Sequence, residues 1–183
     1  MTTPLHDRYF ITLYAGLDEA TCRAVIERFD SDEGKRQGRI GGPGQAAQAE
    51  QVKRSWDLEI RHDGDWQEIF QRIHPRIQAF ILQSFDLQAT GYKIQMYLRG
   101  DGHFRWHAHS VGGNTGDRVV AMVLYLNDVA RGGETEFFHQ GLKIQPRAGQ
   151  LVLFPAGWNY MHCGHVPESG DKYVISTFIR IKG

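Results

Sequence analysis

From Thr90 onward the chain breaks into short apolar runs, each closed by a turn signal, with no helical periodicity between them. The runs are 92–98, 119–126, 135–138, 142–144, 151–154 and 173–181. Between them stand Gly100 and Gly102, Gly132-Gly133, Gln140-Gly141, Pro146 and Gly149, Pro155 and Gly157, and Gly170. Runs of this length and spacing predict antiparallel strands in a sandwich or barrel. Residues 119–124 are apolar on both faces, so this strand is expected mid-sheet, under the helices of the first half.

The first half mixes periodicities. Residues 8–14 read as a strand. Asp18 is placed to cap a helix in which Cys22, Val25, Ile26 and Phe29 follow at i, i+3, i+4 and i+7. Residues 31–53 are polar and glycine-rich, include Arg39-Ile40-Gly41-Gly42-Pro43-Gly44, and lack periodicity, which predicts a long loop acting as a lid. Trp56, Leu58 and Ile60 alternate as a strand. A second helix is expected from near Asp65, with Ile69, Ile73, Phe80 and Ile81 on one face. Pro75 inside that pattern should kink or split it. The expected fold is mainly β with N-terminal helices: a double-stranded β-helix (cupin-like jelly-roll) packed against two or three helices. One domain is expected over 1–183, with 1–90 as helical support and lid loop and 91–183 as the jelly-roll core.

Lys+Arg and Asp+Glu both total 21, so the chain has no electrostatic footprint for nucleic acid or an anionic membrane surface. No apolar run approaches the roughly 18 residues of a membrane span, and MTTPLHDRYF lacks the basic and apolar regions of a secretory signal. Cys22 and Cys163 form no paired framework, which is usual for reduced thiols in the cytoplasm. These features place the protein there.

Six of the nine histidines fall at 103, 107, 109, 139, 162 and 165. His107 and His109 stand at i, i+2, so on a strand they share one face with Cα atoms about 6.6 Å apart. Two imidazoles so placed can converge on one metal at about 2.0–2.1 Å per nitrogen. A third ligand must then come from a returning strand, and His162 and His165 are the candidates. Trp106, beside His107, should point to the opposite face and pack in the core.

A longer series now becomes legible. Tyr97-Leu98-Arg99-Gly100, Trp106-His107-Ala108-His109, Arg118 through Tyr125-Leu126-Asn127-Asp128, Gly132-Gly133-Glu134-Thr135-Glu136-Phe137, Pro146-Arg147-Ala148-Gly149, Phe154-Pro155-Ala156 and His162 to Gly170-Asp171-Lys172-Tyr173 occur in that order. The series resembles the iron(II)/2-oxoglutarate-dependent dioxygenases, in particular the small bacterial members of the prolyl 4-hydroxylase-like group. The resemblance covers half the chain, residues 92–181. It implies Fe(II), 2-oxoglutarate as cosubstrate and dioxygen, with hydroxylation of a C–H bond as the reaction. It places His107 and His162 as metal ligands, and the family spacing selects His162 over His165. Lys172, ten residues after His162, falls where the family keeps the basic partner of the cosubstrate's distal carboxylate. Tyr97 and Tyr125 fall among the tyrosines lining that pocket, and Ser176 is a further candidate donor. Arg118 and Arg147 are weaker candidates.

One position departs from the family pattern. Its second metal ligand is Asp or Glu, and this chain has His109 there. Three nitrogens and a chelating cosubstrate still leave one octahedral position for dioxygen. His109 is therefore read as a third ligand, giving metal ligands His107, His109 and His162. Three alternatives stay open at this point: a histidine substituted into a carboxylate-bearing parent, a non-catalytic ligand- or metal-binding jelly-roll, and a three-histidine cupin dioxygenase that does without 2-oxoglutarate. The substrate class is a small molecule or a peptide or protein side chain. Its specificity is expected in segments 31–53 and 110–117.

Overall fold

The computed structural model describes residues 4–38, 51–60, 66–80, 87–89 and 91–181. In chain order the strands are β1 (His6–Arg8), β2 (Ile11–Ala15), β3 (Arg36–Gln37), β4 (Lys53–Arg54), β5 (Trp56–Ile60), β6 (Leu87–Ala89) and β7 (Tyr92–Tyr97), then β8 (His103–His107), β9 (Arg118–Tyr125), β10 (Thr135–Phe137), β11 (Leu142–Ile144), β12 (Gln150–Pro155), β13 (His162–Gly164) and β14 (Lys172–Ile181). Helix α1 (Glu19–Ser31) follows β2, and α2 (Gln67–Phe80) lies between β5 and β6.

Two antiparallel sheets result. The larger runs β1-β2-β12-β9-β14-β7-β5-β3, with β6 also paired to β14, and the smaller runs β11-β10-β13-β8-β4. From β7 to β14 consecutive strands switch between the sheets except at the β10–β11 hairpin, which is the jelly-roll that the turn-punctuated runs predict. The central strand β9 has the two-faced burial expected of it. Val120, Met122 and Leu124 join the core shared with the helices, while Ala121 and Tyr125 join the core between the sheets.

The helices cover one face of the large sheet only. Asp18 caps α1 by accepting the Thr21 amide at 2.8 Å, and Cys22, Val25 and Phe29 form its buried stripe. Helix α2 buries Ile69, Phe70, Ile73 and Ile77 against the same core. It runs unbroken through Pro75, contrary to a split there. Pro75 lies on the exposed face, where water can reach the carbonyl that loses its donor. The Arg76 side chain donates to the neighbouring Arg72 carbonyl.

Other expectations need correction. The strand foreseen over 8–14 is a hairpin, with Tyr9 and Phe10 at φ 56° and 59° forming its turn. Segment 31–53 is not all loop, since Ser31 ends α1, β3 falls inside it and Lys53 begins β4. The lid reading of residues 39–50, and Ile81 in the α2 stripe, lie outside the described residues. Trp106 is 42% exposed and meets Phe138 edge-on, also on the surface. Among the described residues no helix lies over the outer face of the small sheet, so the alternation that turns His107 inward turns Trp106 to solvent.

Candidate metal centre and its pocket

The structure brings His107, His109 and His162 together with their donor atoms all within 4.8 Å of one another. His107 ends β8 and His162 begins β13, and the two are direct cross-strand partners. Their ring centroids are 4.3 Å apart, and each lies 4.7 Å from that of His109. His109 sits beyond the end of β8 and is placed by a different device from strand pleating. The amides of His109 and Ser110 donate to the Ala156 carbonyl at 3.1 and 2.8 Å, so the end of β12 holds this residue. Its ring packs 4.5 Å from that of Phe178 on β14.

A local irregularity in β8 shapes the floor of this cluster. The register with β13 shifts so that Gly164 opposes Phe104 while His162 opposes His107. The extra residue on the β8 side lets Phe104 and His107, three apart, share the inner face, where they stack at 3.5 Å. Arg105 and Trp106 are exposed as a consequence.

Two of the imidazoles have their tautomers set by the main chain. Nδ1 of His107 is 2.7 Å from the Arg105 carbonyl, and Nδ1 of His162 is 2.9 Å from the Tyr160 carbonyl. A carbonyl can only accept, so these Nδ1 atoms carry the protons and the Nε2 lone pairs are free. Nε2 of His107 is buried with no hydrogen-bond partner. Burial, and then the neighbouring His162, push His107 down to about 3. Burial lowers His162 to about 4, and burial with both other histidines and Arg118 holds His109 well below its ordinary value. Three neutral imidazoles with an orphaned nitrogen among them fit a borderline divalent metal such as iron(II). No carboxylate joins the cluster among the described residues. Glu136 points away and Glu134 is not part of it.

Lys172 defines the other end of the pocket. It is buried, with Nζ donating to the Gly133 carbonyl at 2.9 Å and lying 4.8 Å from the centre of the Tyr97 ring. No carboxylate forms an ion pair with it among the described residues, and burial lowers it to about 8. A methyl group on Gly164 would come to 3.4 Å from that ammonium. Gly164 is two residues from His162 on the same inner face, so the backbone that the ammonium approaches stands about one strand repeat, roughly 7 Å, along β13 from the histidine. That span suits a short dicarboxylate.

The remaining expected pocket residues take defined places. Tyr125 is fully buried and donates its hydroxyl to Thr135 Oγ1 at 2.6 Å. Ser176 shares the inner face of β14 with Lys172 but lies four residues along it, and its hydroxyl donates to Gln95 Oε1 at 2.8 Å. Arg118 stacks 4.1 Å over Phe178, close enough to His109 to depress its basicity. Arg147 pairs with Asp128 on the surface. His139 is exposed, and both nitrogens of His103 meet backbone carbonyls. His165 lies on the outer face of β13's sheet, against Glu136, and not in the pocket.

Sequence reasoning missed a buried polar chain beside the cluster. Lys53 Nζ pairs with Asp57 at 2.8 Å, and both are almost fully buried. Ser55 Oγ and Gln95 Nε2 also donate to Asp57 Oδ1, at 2.7 and 3.3 Å, and Gln95 connects to Ser176. The charge of Lys53 reaches His107. The available signal was the phase of β5: with Leu58 and Ile60 facing the helices, Asp57 had to face the inter-sheet space.

Residues 92–180 match the family model described as the 2OG-Fe(II) oxygenase superfamily. Among curated relatives, prolyl 4-hydroxylase 13 of Arabidopsis thaliana is 29% identical over a stretch covering 48% of this chain and 40% of that protein. The chain thus spans under half the length of the curated relatives it matches. Among solved structures, the viral collagen prolyl hydroxylase of Paramecium bursaria Chlorella virus-1, in its 2OG complex, superposes with a TM-score of 0.72 at 17% identity, covering 94% of this chain and 97% of that one. A Trichoplax adhaerens prolyl hydroxylase, bound to a hypoxia inducible factor peptide, gives a TM-score of 0.74 at 15% identity, covering 93% and 83%. At these identities the structural likenesses speak for the fold.

Proposed function

From residues 92–180, which belong to the 2OG-Fe(II) oxygenase superfamily, we propose that this chain is a hydroxylase-type dioxygenase that acts on a peptidyl or protein side chain. The observation that carries the reading is the layout of the inter-sheet pocket. Three neutral imidazoles converge at one end, and a buried ammonium without a carboxylate partner among the described residues stands at the other.

In this reading His107, His109 and His162 hold Fe(II), and Lys172 receives the distal carboxylate of 2-oxoglutarate. When bound, metal, cosubstrate and dioxygen supply the oxidising power for C–H hydroxylation. The chain's own work is placement. Arg105 and Tyr160 carbonyls fix the imidazole tautomers. Lys172 gains the anion that its buried charge lacks. Tyr97 lies under the ammonium, and Tyr125 can turn its hydroxyl from Thr135 toward the same carboxylate. Phe104, Phe154 and Phe178 surround the histidines and exclude water.

The substrate class rests on the likeness to a collagen prolyl hydroxylase and to a peptide-bound prolyl hydroxylase, and on the rim beside His109. There Val111 and Trp158 are 70% and 71% exposed, on either side of the Ser110–Gly157 bridge, and offer an apolar shelf next to the metal ligands. A small-molecule substrate is the competing possibility. We keep a cytoplasmic location within this proposal on the two unpaired thiols. Among the described residues no helix is long and apolar enough to cross a membrane.

Anaerobic titration with iron(II) and then 2-oxoglutarate tests the reading, with His109→Asp run alongside. A visible charge-transfer band in both proteins, bleached by air with release of succinate, is the expected result. A band and succinate only in His109→Asp would mean that His109 does not support oxygenase chemistry. No band in either protein would overturn the assignment of the pocket.

A further inference from the structure

A second group of potential ligands lies on the reverse face of the strand that carries His162. Glu136 and Cys163 are cross-strand partners on β10 and β13, and His165 follows Cys163 by two residues. One donor atom from each of the three lies within 4.8 Å of the others. From this geometry we infer a second cation site, formed by Glu136, Cys163 and His165, that takes a thiophilic divalent metal of the zinc class. It is separate from the pocket between the sheets.

Three features support it. Cys163 Sγ and His165 Nε2 are 3.6 Å apart, the edge expected of a tetrahedron with Zn–S of about 2.3 Å and Zn–N of about 2.0–2.1 Å. The donor set of one thiolate, one imidazole and one carboxylate is of the kind that zinc accepts. His165 also lines a cavity of about 530 Å³ with Glu134, Lys143 and Glu168, so solvent or a small ligand can reach the fourth position.

The residues now satisfy one another in a way the metal would replace. Glu136 Oε2 is 2.5 Å from His165 Nε2 and 3.2 Å from Lys143 Nζ. Binding removes the thiol proton of Cys163 to solvent. The proton between His165 and Glu136 moves to Nδ1 of His165, leaving Nε2 free to ligate. The carboxylate then shifts by about 1 Å, because ligand atoms in a tetrahedral shell sit roughly 3.3 Å apart. Lys143 is 59% exposed and can swing into water as the metal takes its place.

The test uses cobalt(II) as the probe, added anaerobically to the reduced protein. A thiolate bound to cobalt(II) gives an intense near-ultraviolet charge-transfer band that a three-histidine site cannot give. The band is expected in the wild type and in Cys22→Ala, and is displaced by zinc(II). It should vanish in Cys163→Ser, while Glu136→Gln, which keeps the thiol, should weaken cobalt affinity by at least about tenfold. Absence of the band, its survival in Cys163→Ser, or unchanged affinity in Glu136→Gln overturns the site. Circular dichroism of Glu136→Gln guards against loss of fold as the cause.

Discussion

His107 and His162 face each other directly across β8 and β13, with ring centroids 4.3 Å apart and each Nδ1 tied to a backbone carbonyl. The pair is rigid because both rings are oriented by main chain, and His109 joins it from the end of β12.

The metal-free fold is expected to be acid-sensitive. The folded pKa values of His107 and His162 are depressed to about 3 and about 4, and that of His109 lies well below normal. The unfolded chain therefore binds more protons once pH drops below about 6.5, so stability present above that pH falls as pH is lowered. Urea denaturation at pH 7.5 and pH 5 should show the loss. His107→Leu should flatten the slope, and an unchanged slope would count against the buried neutral imidazoles.

Lys172 contributes with the same sign in an alkaline window. Burial depresses its folded value to about 8 from an ordinary 10.5. Without an anion the charged lysine destabilises the fold below about pH 8, and the penalty is lifted as pH rises toward 10.5. Lys172→Met should thus leave the metal-free protein at least as stable as the wild type at pH 7 while weakening 2-oxoglutarate binding by about 100-fold or more. Thermal melts with and without cosubstrate separate the two effects.

Gly164 should be indispensable for cosubstrate and dispensable for metal. Its missing side chain leaves space 3.4 Å from the Lys172 ammonium and 3.8 Å from Phe104. Gly164→Val is expected to weaken 2-oxoglutarate binding by about tenfold or more, since it occupies the space between the two ends of the pocket. Iron(II) affinity measured without cosubstrate should change little. Equal loss of both would point to general distortion of β13.

Asp57 neutralises a buried cation. Asp57→Asn should cost about 3 kcal/mol or more of stability, because Lys53 is left charged in the interior without its partner. The double substitution Lys53→Met/Asp57→Leu should recover most of that loss. Urea denaturation of the two variants and the wild type makes the comparison, and a mild effect of Asp57→Asn would mean water reaches the pair.

The mainly β class, the stripe of α1, the central place of β9 and the residues that converge at 107, 109 and 162 were all legible along the chain. Those features follow from periodicity and turn chemistry, which act over a few neighbouring residues, and from the order of the motifs. Which way several side chains face came instead from packing between distant strands. Trp106 lies on the surface because no helix among the described residues covers the small sheet. Phe104 stacks under His107 because β8 gains a residue against β13. His165 turns outward to Glu136, three residues from an inward His162, and Lys53 finds Asp57 beneath Gly38. Each of these outcomes depends on the partner strand and on what covers a sheet, and neither is encoded in the local pattern of the chain.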